Sequence, residues 1–182
     1  LVTGASGGIG REFALALARE GWAVILVGRN EARLQAVKSE LVGANAAKAE
    51  LVRADLSEPG AAAGLHASCV ERGWPVELLV NNAGSGVFGA CAGSDPAALE
   101  AMIGLNVSSL TSLCALFGSD MASRGSGRIL NVGSFAGLNA TPYFASYAAT
   151  KSYVLSFSLA LRAELAASGV SVTCLLPGYF AT

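Results

Sequence analysis

Six short apolar runs separated by helix-length stretches constrain this chain of 182 residues more than any other feature. The runs lie at residues 1–3, 23–28, 49–54, 77–81, 128–132 and 170–175, and the helical stretches at 9–20, 31–41, 60–71, 96–122 and 145–167. Strands that read as continuous apolar runs are buried on both faces, as in a parallel sheet covered by crossover helices. Hydrophobic residues make up 53 % of the chain and charged residues only 14 %, which suits such a sheet. Right-handed crossovers then predict an α/β fold: one doubly wound, Rossmann-like parallel sheet with helices on both faces, residues 1–182 forming a single domain. Ser94 or Asp95 is expected to cap the helix 96–122, with Pro96 in its first turn.

The same composition excludes other classes. A net charge of −1 carries no basic surplus for a nucleic acid. A membrane span needs about 20 consecutive apolar residues, and the apolar runs 13–18 and 22–27 are far shorter, so no membrane span is expected. The four cysteines, Cys69, Cys91, Cys114 and Cys174, form no CxxC or Cys/His cluster, so neither a metal site nor a disulfide framework is expected. A reducing, cytoplasmic location is the default expectation. Sequons at Asn106 and Asn139 carry little weight without a visible signal peptide.

The first strand runs into Thr3-Gly4-Ala5-Ser6-Gly7-Gly8-Ile9-Gly10 and then into a helix. Glycines in such a turn let the backbone bend sharply and approach a pyrophosphate, while the helix start offers free N–H groups and the positive end of its dipole. The wide gap comes first, GxxxGxG, rather than second as in the usual GxGxxG. With Thr3 in place, the turn resembles the TGxxxGxG fingerprint of short-chain dehydrogenases/reductases.

That resemblance implies a nicotinamide cofactor and places its contacts. Gly4, Ser6, Gly8, Ile9 and Gly10 would hold the phosphates. The second strand ends at Arg29, with no carboxylate before Glu31; a cation there pairs with the 2′-phosphate of NADP(H), which is therefore favoured over NAD(H). The basic residue that many NADP members carry just before the second motif glycine is absent, Gly7 standing there, and Arg11 is a candidate helper. Asp55 and Leu56, after the third strand, would contact the adenine. Asn82-Ala83-Gly84 looks like the cofactor-lining NNAG turn, with a structural role for Asn82 equally open.

Tyr147 and Lys151 are spaced i, i+4 near the start of a long helix and share one face. An ammonium one turn from a phenol favours the phenolate and brings a tyrosine into the range of a general acid/base. Ser134 ends the fifth strand 13 residues earlier, where its hydroxyl can orient a carbonyl oxygen. Asn106, mid-helix among apolar residues, invites a hydrogen-bonding explanation. Asn106, Ser134, Tyr147 and Lys151 resemble the family's tetrad in order and spacing, which implies a catalytic role for each: Asn106 holding a relay water, Lys151 also binding the nicotinamide ribose. Pro177-Gly178 and Thr182 resemble its PG motif, the threonine reaching the carboxamide.

The expected activity is hydride transfer between nicotinamide and a small carbonyl or alcohol substrate, with Tyr147 as acid/base. Phe88, Leu138, Tyr143 and Phe144 suggest an apolar pocket or ordinary loop packing. A homodimer or homotetramer, paired through the two long helices, is the implied assembly. Both ends look cut, and the family's C-terminal strand and lid are expected beyond Thr182. A non-catalytic NADP(H)-binding sensor or scaffold is the alternative, and a sugar-nucleotide epimerase a third, disfavoured by the turn's spacing.

Overall fold

The computed structural model describes residues 1–44, 46 and 48–178. Strand β1 (Val2–Thr3) leads into helix α1 (Gly8–Arg19), then β2 (Ala23–Gly28), α2 (Glu31–Gly43), β3 (Lys48–Arg53), α3 (Ala61–Glu71) and β4 (Leu78–Asn81). The second half runs through α4 (Pro96–Ile103), a π segment (Gly104–Ser109), α5 (Leu110–Arg124), β5 (Gly127–Val132), a short 3-10 turn (Phe135–Leu138), α6 (Ala145–Ala166) and β6 (Val170–Leu175).

All pairings are parallel and the strand order is β3-β2-β1-β4-β5-β6. The order reverses between β1 and β4, and in open α/β sheets the crevice at that reversal is where ligands bind. Helices α1 and α2 close one face through Leu15, Leu34, Val37 and Leu41. Helices α3, α5 and α6 close the other through Leu65, Leu113, Phe117 and Val154. The apolar runs of the sequence are thus buried from both sides, as the doubly wound pattern requires.

The sequence reading differs from the structure at the helix expected over 96–122. Asp95 caps it, accepting from the Ala97 N–H at 3.1 Å, and Gly125 ends it at φ 73°. Between those ends the rod is interrupted by the π segment. The Asn106 amide reaches out of the helix to Ser85 and Thr150, while Ser109 and Thr111 hydroxyls donate back to the carbonyls of Leu105 and Val107 at 2.7 and 2.8 Å. Such insertions of one extra residue per turn recur at functional sites.

The membrane expectation overlooked this rod as well. Pro96–Arg124, 29 residues at mean hydropathy 1.5, is long and apolar enough to cross a bilayer by length and composition. Leu110, Leu113, Phe117 and Met121 spend that apolarity on the sheet and its helices, where they are buried. All four cysteines are free, and the described residues hold no group of side chains suited to a metal ion.

Candidate active site

The glycine turn is built by close approach. Gly4 sits at φ 64°, and a Cβ there would lie 2.8 Å from Asn82 Nδ2 and 2.9 Å from the Ala83 Cα. A Cβ on Gly10 would run into the Gly4 carbonyl oxygen and the same amide. Asn82 explains the crowding. Its Nδ2 donates to the carbonyls of Thr3 at 3.0 Å and Gly4 at 3.3 Å. The N–H groups of Asn82 and Ala83 both donate to Thr3 Oγ1, whose proton goes to the Val80 carbonyl. The Asn82 side chain thereby locks β1 to β4 at the sheet's reversal point.

The start of α1 is left open for an anion. Gly7 caps it with no side-chain hydrogen bond, and the first turn carries no acidic residue. The unpaired N–H groups and the positive helix end fit a phosphate, and the glycines leave space for it. This arrangement suits the pyrophosphate of a nicotinamide dinucleotide.

At the adenosine end, Arg29 and Asp55 form an ion pair at 3.6 Å with the arginine largely exposed. Exposed pairs are worth little, so Arg29 can exchange partners at small expense. Asp55 also accepts from the Ser57 hydroxyl at 2.6 Å and its N–H at 3.0 Å. The Ser57 hydrogen bonds, with Arg29 beyond them, hold this carboxyl below its ordinary value. Leu56 turns its side chain into the sheet core, leaving only backbone to offer a ligand. The Arg11 guanidinium pairs with Glu40 of α2 and with Glu12, also at the surface. Ser6 stands beside Gly28, whose added Cβ would meet the Ser6 Oγ at 3.6 Å.

The first turn of α6 carries Tyr147, and Lys151 follows one turn later. Lys151 is buried, and its Nζ donates to the Val132 carbonyl at 2.8 Å and lies 5.7 Å from the centre of the Tyr147 ring. Burial lowers its pKa from the ordinary 10.5 to about 8, opposed by the nearby Cys174 thiol. Ser134 leaves β5 in extended geometry, and its Oγ accepts from the Ala136 N–H at 3.2 Å, capping the 3-10 turn. That bond uses the oxygen and leaves the hydroxyl proton for another acceptor.

Asn106 is nearly inaccessible at 1 % exposure. Its Oδ1 accepts from the Ser85 N–H at 3.0 Å, and its Nδ2 donates to the Ser85 carbonyl at 2.9 Å and Thr150 Oγ1 at 3.0 Å. Thr150 in turn donates to the Tyr147 carbonyl at 2.7 Å. Both amide protons are committed, and the side chain ties the turn after Asn82 to α6.

A cleft of about 630 Å³ runs from the glycine turn to α6. Gly4, Ile9, Ala83, Gly84 and Asn82 line one end of it, Ser134, Tyr147 and Lys151 the other, with Pro177 and Gly178 at the edge. Ser6, Gly8, Gly10, Arg29, Asp55, Leu56 and Asn106 are not on its wall, and Thr182 falls outside the described residues. The sequence reading missed Ser85, Gly86, Val132 and Thr150. A threonine immediately before the lysine, able to bond back one turn, was the available signal for the last.

It also missed a buried polar row beneath the cleft. Asn81 and Asn131 are direct partners across β4 and β5, and Asn81 Nδ2 donates to Asn131 Oδ1 at 2.9 Å. Asn131 Nδ2 passes the chain to Ser158 of α6 at 3.0 Å. Val132, which follows Asn131, supplies the carbonyl that holds Lys151.

An anion-ready glycine turn opening onto a Ser–Tyr–Lys cluster at the reversal point of a doubly wound sheet defines a nicotinamide-dependent oxidoreductase site. Residues 1–182 match the model of the short chain dehydrogenase family, and the chain belongs to that family. It is 38 % identical over 183 residues to a galactitol 2-dehydrogenase (L-tagatose-forming) of Cereibacter sphaeroides, covering 100 % of this chain and 70 % of that protein. A short-chain dehydrogenase from Sphingobium yanoikuyae in complex with NADPH superposes with a TM-score of 0.92 at 34 % identity, over 97 % of this chain and 69 % of that one. The bulky-bulky ketone specific alcohol dehydrogenase from Comamonas testosteroni gives a TM-score of 0.92 at 32 % identity, over 97 % and 71 %.

Proposed function

We propose that this protein is an NADPH-dependent carbonyl reductase, interconverting a ketone and a secondary alcohol with Tyr147 as general acid/base. The observation that carries the reading is that Ser134, Tyr147 and Lys151 line the same cleft as the glycine turn. When bound, the nicotinamide supplies the hydride that the carbonyl carbon accepts. Ser134 has its hydroxyl proton available to hold the carbonyl oxygen and stabilise the charge that develops there. Tyr147 delivers its proton to that oxygen, and the product is the alcohol. Lys151, pinned by the Val132 carbonyl, places its positive charge beside the tyrosine and can reach the cofactor ribose. Asn106 keeps the turn and the helix together, and proton resupply passes by way of Lys151.

NADPH is favoured over NADH because Arg29 is exposed and only loosely paired, next to where the ribose 2′ position falls when β2 ends at a dinucleotide. The solved structure from Sphingobium yanoikuyae, bound to NADPH, agrees with this choice. Ile103, Tyr153 and Leu159, apolar and exposed on the two long helical elements, support assembly into a homodimer or homotetramer.

The reading is tested by titrating NADPH and NADH onto the protein and its Arg29→Asp variant, followed by turnover of Tyr147→Phe. A preference for NADPH that Arg29→Asp reverses, with turnover lost and cofactor binding kept in Tyr147→Phe, is the expected result. Substantial activity in Tyr147→Phe would remove the tyrosine from its role. Binding without turnover of any carbonyl would move the sensor or scaffold reading ahead of the reductase.

A further inference from the structure

Phe144 and Tyr147 wall the α6 end of the cleft, and a third ring, Phe88, continues the series outward from Phe144. Phe144 stacks on Tyr147 with ring centres 4.2 Å apart at 19°, and Phe88 meets Phe144 edge-on at 5.9 Å and 63°. Gly86 makes the stack possible: a Cβ there would lie 3.0 Å from the Phe144 ring and 3.3 Å from Tyr147 Cδ2. The two loops that carry the rings are fastened to each other by the Gly89 N–H, which donates to the Tyr143 carbonyl at 2.8 Å. Tyr143 holds φ 61°, a left-handed conformation that a bulky L-residue adopts only when its surroundings enforce it. The wall is therefore built in place, yet its outermost ring, Phe88, is 80 % exposed.

Charge is absent from the same region. Residues 82–94 and 133–150, the two segments that flank the cleft, contain no Asp, Glu, Lys or Arg. Lys151 is the one charged side chain on the cleft wall among the described residues, and its Nζ is held by the Val132 carbonyl. Among the described residues, a carboxylate or phosphate on the arm of the substrate that lies along Phe144 and Phe88 would meet no counter-charge.

We propose that the substrate is an uncharged ketone bearing an aryl group on the arm that lies along Phe144 and Phe88. The inference rests on the carbonyl-reductase reading above and names the substrate class of that site. An aryl ring adds edge-to-face and offset contacts to the existing series, which an alkyl chain of equal size cannot reproduce. Phe88 is the selectivity residue: it touches neither the core nor the Ser134–Tyr147–Lys151 cluster, so replacing it leaves the fold in place.

The test is steady-state reduction of acetophenone, methyl hexyl ketone and para-acetylbenzoate at saturating NADPH, by the whole protein and by Phe88→Ala. Acetophenone and methyl hexyl ketone have equal carbon counts, so their ratio reads the ring, and para-acetylbenzoate reads the charge. The expected order of kcat/KM puts acetophenone first, with Phe88→Ala cutting its advantage over methyl hexyl ketone roughly three- to tenfold. Equal kcat/KM for these two, or a ratio unmoved by Phe88→Ala, overturns the aryl assignment while leaving the reductase reading standing. Preferred reduction of para-acetylbenzoate overturns the exclusion of charge. Reduction of none of the three overturns the assignment, and bound NADPH in the same sample then locates the failure in the reductase reading.

Discussion

Asn106 and Thr150 are joined by a 3.0 Å hydrogen bond, and the same threonine hydroxyl donates at 2.7 Å to the carbonyl of Tyr147. One hydroxyl thus connects the π segment to the first turn of α6. Thr150→Val keeps the shape of the side chain and removes the connection, leaving a buried amide proton of Asn106 without its acceptor. The expected loss of stability is about 1–3 kcal/mol, read by urea unfolding. If the strut also sets the height of Tyr147, kcat falls while KM for NADPH holds, and Thr150→Ser restores both.

Lys151 should make stability rise with pH. Its pKa is lowered from 10.5 to about 8 by burial, so between those values the unfolded chain binds more protons than the folded one. The Lys151 contribution to unfolding free energy therefore increases through that window, and below about pH 8 the buried ammonium is destabilising in full, by about 3 kcal/mol. Burial holds the Cys69, Cys114 and Cys174 thiols above their ordinary value, which pulls the other way as pH rises, so the measure is the difference from Lys151→Met, which is expected to be inactive and at least as stable as the parent at about pH 7. A stability gap between parent and Lys151→Met that does not shift in the parent's favour over the same range would contradict the buried-ammonium account.

Gly10→Ala tests the turn. The added methyl has the Gly4 carbonyl and the Asn82 amide in its way, both of them fixed by β1 and β4. The turn must open, and affinity for NADPH is expected to fall at least roughly tenfold, about 1.4 kcal/mol. Gly21→Ala, at φ 78° but in open space beyond α1, is the control for backbone strain alone, and cofactor affinity there should hold.

Gly7→Arg should act in the opposite sense. Gly7 is extended, at φ 174°, and nothing lies within 4 Å of where its Cβ would be. An arginine fits, and it places a second cation near the exposed Arg29. The ratio of NADH to NADPH dissociation constants is expected to rise roughly five- to tenfold, less at high salt. No change in that ratio would mean that the 2′-phosphate lies beyond reach of position 7.

Much of this architecture was legible because the chain repeats one unit. Apolar runs such as Val24–Val27 can be buried from both sides only in a covered parallel sheet, and the wide-first glycine spacing told where its first loop would bend. The i, i+4 spacing put Tyr147 and Lys151 on one helix face, and resemblance to the family's tetrad joined Ser134 to them. The π segment could not be read that way. Gly104-Leu105-Asn106 continues an apolar, helix-compatible pattern, and the interruption depends on partners at Ser85 and Thr150 that are distant in the chain. The partner of Arg11 was hidden for a related reason: its proximity to the turn is local, whereas Glu40, which pairs with it, arrives with α2. Asn81 and Asn131 face each other only once register is set, so neither announced the other.

The π segment also governs the phase of the helical rod on either side of it. An added residue in a helix rotates everything beyond it by about 100°, so α4 and α5 present faces that one uninterrupted α-helix would not align. Loss of a single residue between Gly104 and Ser109 would let the rod heal into regular α-helix. That would leave Leu113, Phe117 and Met121 facing the sheet, since the wide turn only absorbs the extra residue, while Asn106 left its bonds to Ser85 and Thr150. The core would thus outlast the Asn106 tie, whereas an insertion or deletion elsewhere in the rod would shift the phase of one half against the other.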